Sequence, residues 1–223
     1  MNKLAVIVPY RNRKSHLDQF IPYMNNYLSK NIGNNFYIVV VEQLNTNLFN
    51  RGTLINIGFE LEKNNCNYIS PHDVDLLPED ADYSIPTIPI HLAAYRSQKK
   101  YILEYENFFG GVNLFLNEHF SKINGFSNFY AGYGAEDDDL RHRCVISGLS
   151  PQRRFARYTS LHHEPVSCAT KENETLWYDI QRGSMNTTMN FDGLSTIKYK
   201  TVKKETKDFV HYYVDFENER YTK

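Results

Sequence analysis

Two apolar runs open the chain, "LAVIVPY" at 4–10 and the first six residues of "FYIVVVEQ" at 36–43. Short, β-branched and continuously apolar, they predict strands covered on both faces. Between them Leu17, Phe20, Ile21, Met24, Tyr27 and Leu28 recur at helical spacing. That stripe predicts a helix with Ser15 as a candidate N-cap, kinked or delayed by Pro22. "TLINIGFELEKNN", from Thr53, predicts a second helix with Leu54, Ile57, Gly58 and Leu61 on one side. "YISPHDVD", 68–75, predicts a third strand ending in two acids. The order β-α-β-α-β is that of a parallel sheet covered by helices.

Side chains alternate along a strand, so Asp73 and Asp75 are expected on one face and Val74 on the other. Two like charges there call for a positive partner. Further on come "HLAAYRSQ", "FFGGVNLFLNEHF", the Gly-containing turn "YAGYGAE" and a helix from "EDDDLRHRCVISGL". Residues 195–216 alternate with period two and predict paired strands. Residues 164–190 are polar, carry Gly183 and lack sustained periodicity, which predicts a long functional or disordered loop. Nothing resembling a repeat or linker divides the chain, so one domain over 1–223 is expected.

Composition narrows the classes. The chain has 223 residues, 41% of them hydrophobic, enough for a substantial core. A net charge of −1 gives no basic field for nucleic acid or an acidic membrane. Cys66, Cys144 and Cys168 are dispersed and odd in number, which argues for a reducing compartment over a disulfide framework. The N-terminal apolar run is too short for a membrane span and lacks a signal-peptide cleavage site, so a cytoplasmic protein is expected. The 17 Tyr and 14 Phe could line a sugar-binding cleft, but core and surface filling accounts for most of them.

Ligands of such sheets bind beyond the carboxyl ends of the strands. "PYRNR", "EQLNTNLFNR" and "HDVD" fall there. Asp73 and Asp75 are either hard ligands for a divalent cation on a nucleotide diphosphate or two solvated acids. His162 and His163 suit Mn²⁺ or Zn²⁺, but gain weight only beside Asp75. Arg11, Arg13 and Arg51 are candidate phosphate ligands, or else surface charges. Gly110 and Gly111 suggest either close approach of a ligand to the backbone or a bulge. One or two acids complement a helix N-terminus; four in succession exceed that need, and one could be a general base.

The ordered set "VIVPYRNRKSHL", "FNRGTLINIGF", "HDVDLLP", "FFGGVNLF", "INGFSNFYAGYGAEDDDLRHR" and "DGLSTIKYK" resembles the β-1,4-galactosyltransferase family, glycosyltransferase family 7. The resemblance covers nearly the whole chain. It implies an α/β GT-A fold with a mixed central sheet and a nucleotide-binding half (1–80). The remainder (81–223) would serve the acceptor and metal. It implies inverting, Mn²⁺-dependent transfer from UDP-galactose to a glycan acceptor. Pro9, Tyr10, Arg11 and Arg13 would surround the uridine diphosphate, assisted by Phe49, Arg51, Asp73 and Val74. Phe108, Gly110 and Gly111 would line the donor sugar. Asp75 and His163, with His162 as the candidate third ligand, would hold the metal. Asp137 would be the base, and Tyr133, Glu136 and Asp138 would meet the acceptor. Residues near 164–190 would close over the bound donor.

The chain departs from the family pattern in places. Tyr133 and Ala135 stand in a turn that usually carries Trp with Gly or Arg. Phe108 stands where a Tyr hydroxyl usually disfavours an N-acetylated donor, so UDP-GalNAc is the alternative donor. The family's membrane anchor, stem and disulfides are not evident, which fits a cytoplasmic bacterial or viral enzyme. The competing readings are a catalytically inert sugar-nucleotide-binding module and a phosphohydrolase of sugar nucleotides.

Overall fold

The computed structural model describes residues 2–163 and 170–218. The chain opens with β1 (Leu4–Tyr10), α1 (Lys14–Ile32), β2 (Phe36–Gln43), α2 (Arg51–Glu62) and β3 (Tyr68–Pro71), in the expected order. There follow β4 (Leu76–Pro78), β5 (Ile90–His91), β6 (Tyr95–Arg96), β7 (Asn113–Leu116), α3 (Asn117–Lys122) and α4 (Glu136–Ile146). The chain then runs through β8 (Gln152–Arg153), β9 (Arg157–Ser160), α5 (Lys171–Gln181), β10 (Tyr199–Thr206) and β11 (Val210–Phe216). The main sheet has the order β10-β11-β2-β1-β3-β7-β5-β8, and a small second sheet the order β4-β9-β6. β1 is parallel to both β2 and β3, while β7 is antiparallel to β3 and β10 to β11, so the main sheet is mixed. This is the α/β architecture of a GT-A fold.

The continuous apolar run of β1 is explained by helices on both sides. Leu4, Val6 and Val8 pack with Phe20, Met24 and Leu28 of α1, whereas Ala5 and Ile7 pack with Leu54 and Ile57 of α2. Each of these side chains is fully buried, and burial of each one except Ala5 is worth roughly 1.5–3 kcal/mol. Gly58 lets α2 lie flat on the sheet, since a Cβ there would come within 2.6 Å of Ile7 Cγ2.

Four expectations are corrected. α1 starts at Lys14 with Arg13 at the cap position, not at a Ser15 cap. It runs unbroken past Pro22, which lies on the exposed face where water can satisfy the carbonyl it leaves unpaired. β3 stops at Pro71, and Asp73, Val74 and Asp75 form a turn closed by the Leu76 N–H donating to Asp73 O. The alternation argument therefore fails for the two acids. Within the expected loop of 164–190 lies α5, capped by the Thr170 hydroxyl. Its buried face is Asn173, Leu176, Asp179 and Ile180, half of it polar, which is why no apolar period was visible. Residues 164–169, with Cys168, lie outside the described residues.

Candidate active site

Three segments meet beyond the carboxyl ends of β1, β2 and β3: the turn before α1, the start of α2, and the Asp73–Asp75 turn. The first turn of α2 supplies the hub. Asn50 caps it by accepting from the Thr53 N–H, and Arg51 follows, 9% exposed. Its Nε donates to Asp73 Oδ1 at 2.7 Å and its Nη1 to Asp137 Oδ1 at 2.8 Å. Its Nη2 donates to the Gly111 carbonyl at 3.2 Å. One planar fork thus joins α2, the acidic turn, the glycine pair and α4. Burial works against the Arg51 charge, but Asp137 and Asp73 hold it protonated beyond the ordinary arginine range.

The glycine pair is required by close approach. A Cβ on Gly110 would sit 2.7 Å from Asp137 Oδ2 and 2.8 Å from the Phe108 ring. Gly111 has φ +85, left-handed backbone that favours glycine. Beneath them His91 Nε2 donates to the Gly110 carbonyl at 2.9 Å, and burial pushes its pKa down to about 3. The Phe108 ring is fixed between His91, Tyr105 and the Arg96 guanidinium.

The four acids opening α4 separate into distinct environments. Ala135 precedes them at φ +70, in the left-handed region. Asp137 pairs with Arg51, Asp138 accepts from the Tyr105 hydroxyl at 2.9 Å, and Asp139 is fully buried against Arg143 at 2.8 Å. Burial pushes the Asp137 carboxyl well above the usual carboxylate range; Arg51 opposes this, and Glu136, Asp73 and Asp138 add to it. Burial also raises Glu136 and Asp138. Tyr133 is exposed, its carbonyl accepting from the Thr170 and Asn173 donors at the start of α5.

Asp75 Oδ2 lies 2.9 Å from His163 Nε2, so the two sequence segments do converge. Burial and then Asp73 raise the Asp75 carboxyl, with His163 acting against them. A carboxylate oxygen and an imidazole nitrogen form a two-residue donor set of the kind that suits a divalent cation with positions left open. The expected trio is not assembled. His162 is exposed, and among the described residues no group of three or more His, Cys, Asp or Glu could hold a metal ion.

In the remaining nucleotide group, Arg11 lies over the Phe49 ring at 5.5 Å and donates to the Asn47 carbonyl at 2.6 Å. Pro9, Tyr10 and Val74 are buried, Tyr10 edge-on to His211. Arg13 caps α1 with its carbonyl, which accepts from His16 and Leu17. Sequence reasoning missed the supports. Tyr105 and His91 gave no local signal. Nor did His72, buried under the acidic turn between the Asp73 carbonyl and the Tyr83 hydroxyl, its pKa pushed down to about 4 by burial. Asn56 and Asn128 were detectable as polar residues in apolar runs; they bond to each other at 3.0 Å and tie α2 to the segment before α4.

Two family models match, described as the N-terminal region of glycosyl transferase group 7 over residues 1–85 and the N-terminal domain of galactosyltransferase over residues 90–164. The chain is 33% identical to human β-1,4-galactosyltransferase 4 over 226 residues, 97% of this chain and 64% of that protein. It is 35% identical to Drosophila melanogaster β-1,4-galactosyltransferase 7 over 220 residues, 91% of this chain and again 64% of the relative. It thus spans about two thirds of the length of these curated relatives. The crystal structure of the Drosophila β-1,4-galactosyltransferase 7 catalytic domain with xylobiose superimposes with a TM-score of 0.83 at 30% identity, covering 97% of this chain and 95% of that one. A mutant of that enzyme with manganese, UDP-Gal and xylobiose superimposes with a TM-score of 0.79 at 30% identity, with the same coverage of both chains. With these matches the chain belongs to the β-1,4-galactosyltransferase family, glycosyltransferase family 7.

Proposed function

We propose that this chain catalyses inverting, Mn²⁺-dependent transfer of galactose from UDP-galactose to a sugar hydroxyl of a glycan acceptor, forming a β-1,4 linkage. The observation that carries the reading is the Arg51 fork. It fixes Asp137 and Asp73 in one network, and Asp73 lies two residues from the Asp75–His163 pair.

Asp137 takes the proton of the acceptor hydroxyl as that oxygen attacks the anomeric carbon opposite the departing UDP. Burial makes the carboxylate a stronger base, and Arg51 opposes that rise and orients the group. Arg11 and Arg13, flanking the turn after β1, offer guanidinium groups to the diphosphate. Asp75 and His163 would hold Mn²⁺, which when bound offsets negative charge on the leaving group. Tyr133, Glu136 and Asp138 border the acceptor side, with Tyr105 orienting Asp138. Phe108 has no hydroxyl to exclude an N-acetyl group, which favours UDP-GalNAc as the alternative donor. The buried free thiols of Cys66 and Cys144 support a reducing, cytoplasmic setting.

The test is turnover of UDP-galactose and of UDP-GalNAc with Mn²⁺ and a panel of GlcNAc, glucose and xylose glycosides, wild type beside Asp137→Asn. Metal-dependent transfer that the substitution abolishes is expected. Release of free sugar indifferent to acceptor and to Asp137 would overturn the reading in favour of a phosphohydrolase.

A further inference from the structure

His16 lies in the first turn of α1, three residues past the last arginine of the nucleotide turn, and is 8% exposed. Its Nε2 lies 3.0 Å from the carbonyl oxygen of His162. A carbonyl can only accept, so Nε2 carries the proton and donates. Its Nδ1 is buried and has no hydrogen-bond partner among the described residues. Among the described residues, the only directional bond its ring makes is therefore to the backbone immediately before His163.

The segment 160–163 is held at successive points. Ser160 pairs with Leu76 at the end of β9. The Leu161 N–H donates to the Asp75 carbonyl at 2.7 Å. The His162 carbonyl is taken by His16, and the His163 ring stands edge-on to the His16 ring with centroids 6.4 Å apart. His163 Nε2 then reaches Asp75 Oδ2. The bond at Leu161 fixes the height of the segment. The bond at His162 fixes the rotation of the peptide that precedes His163, and hence where its imidazole points.

We propose that His16 is the positioning residue of the metal pair: by clamping the His162 carbonyl it aims His163 at Asp75, and it ties the nucleotide turn to the metal site. This rests on the metal-dependent reading above. Residues that orient a ligand typically change metal affinity 10–100-fold when removed. They act on affinity, so saturating metal restores what their loss removes.

The experiment measures Mn²⁺ binding to the substrate-free protein by electron paramagnetic resonance of the free ion, with thermal melts alongside. His16→Phe keeps the ring and removes the donor; His16→Gln keeps an amide N–H at the reach of Nε2. The expectation is an Mn²⁺ affinity at least about tenfold weaker in His16→Phe, with most of it restored in His16→Gln. In turnover, His16→Phe should raise the Mn²⁺ concentration needed for half activity and leave kcat at saturating Mn²⁺ within about threefold of wild type, a split that general destabilisation does not produce. Unchanged affinity in a folded His16→Phe protein would overturn the proposal. So would equal loss in both variants, because it would make the imidazole itself a ligand. If His16→Phe does not fold, His16→Gln decides: near-normal affinity supports the clamp and a large loss overturns it. Absence of Mn²⁺ uptake by wild type and by Asp75→Asn alike would overturn the metal reading, and the proposal with it.

Discussion

Arg51 Nη1 and Asp137 Oδ1 lie 2.8 Å apart, so the carboxylate assigned as base is held by a residue that also grips Asp73. The two acids are unequal partners, because Asp137 is 19% exposed and Asp73 31%. Removing the arginine strands both. Arg51→Ala should destabilise by about 3 kcal/mol, the low end for a broken buried pair because Asp73 keeps access to water. Arg51→Lys keeps the charge but loses the fork, and should cost activity more than stability. Urea unfolding beside kcat for both variants checks this; an Arg51→Ala protein as stable as wild type would contradict it.

The raised Asp137 carboxyl has two consequences of opposite sign. For catalysis the ionised form is needed, so kcat should fall with decreasing pH along a limb placed above the ordinary carboxylate range. For stability, a carboxyl whose folded pKa exceeds its unfolded value contributes fully below the unfolded value, near 3.9, and loses that contribution as pH rises through the folded pKa. Asp137→Asn has no such loss. Its melting temperature should therefore gain on wild type between pH 4 and pH 8, and a pH-independent difference would refute the burial argument.

His91 works in the reverse direction. Burial lowers its pKa to about 3, so its stabilisation is complete above the unfolded value near 6.5 and is lost as pH falls toward 3. Linkage sets the loss at roughly 2 kcal/mol between pH 6.5 and pH 5. His91→Gln retains a donor for the Gly110 carbonyl and does not titrate. It should flatten the acid side of the stability profile, which melts at half-unit pH intervals would resolve.

How far each feature could be read from sequence depends on how local its causes are. β1, α1, β2 and α2 were legible because Leu17, Phe20, Ile21, Met24 and Leu28 record the buried face of a helix directly. The end of β3 was not, because the Asp73–Asp75 turn answers to distant partners: Arg51 takes Asp73, Gly111 O takes the Asp73 N–H, and His163 takes Asp75. Likewise "EDDD" announces a concentration of acids, but only tertiary contact separates Asp137 from Asp139, whose carboxylate belongs to a buried cluster with Arg143 and Asp192. The family resemblance could place Asp75 and His163 together because it carries tertiary information. It could not place His162, whose side chain is exposed while its carbonyl turns to His16.

Gly110 offers the sharpest separation of folding from chemistry. Its φ is not in the left-handed region, so alanine meets no backbone strain there. What an added Cβ would meet are side-chain ends: Asp137 Oδ2 at 2.7 Å and the Phe108 ring at 2.8 Å. Contacts this short must be relieved, and a carboxylate rotates more readily than a ring 8% exposed and packed on His91 and Arg96. Gly110→Ala should therefore push Asp137 off its position and leave the fold nearly unchanged. A displacement on the order of 1 Å at a reacting group can lower the rate by up to about 100-fold. The expected outcome is a melting temperature within a few degrees of wild type and a kcat reduced tenfold or more, with UDP affinity preserved. Wild-type kcat in this variant would mean that Asp137 tolerates displacement, and the assignment of the base would have to move to Glu136 or Asp138.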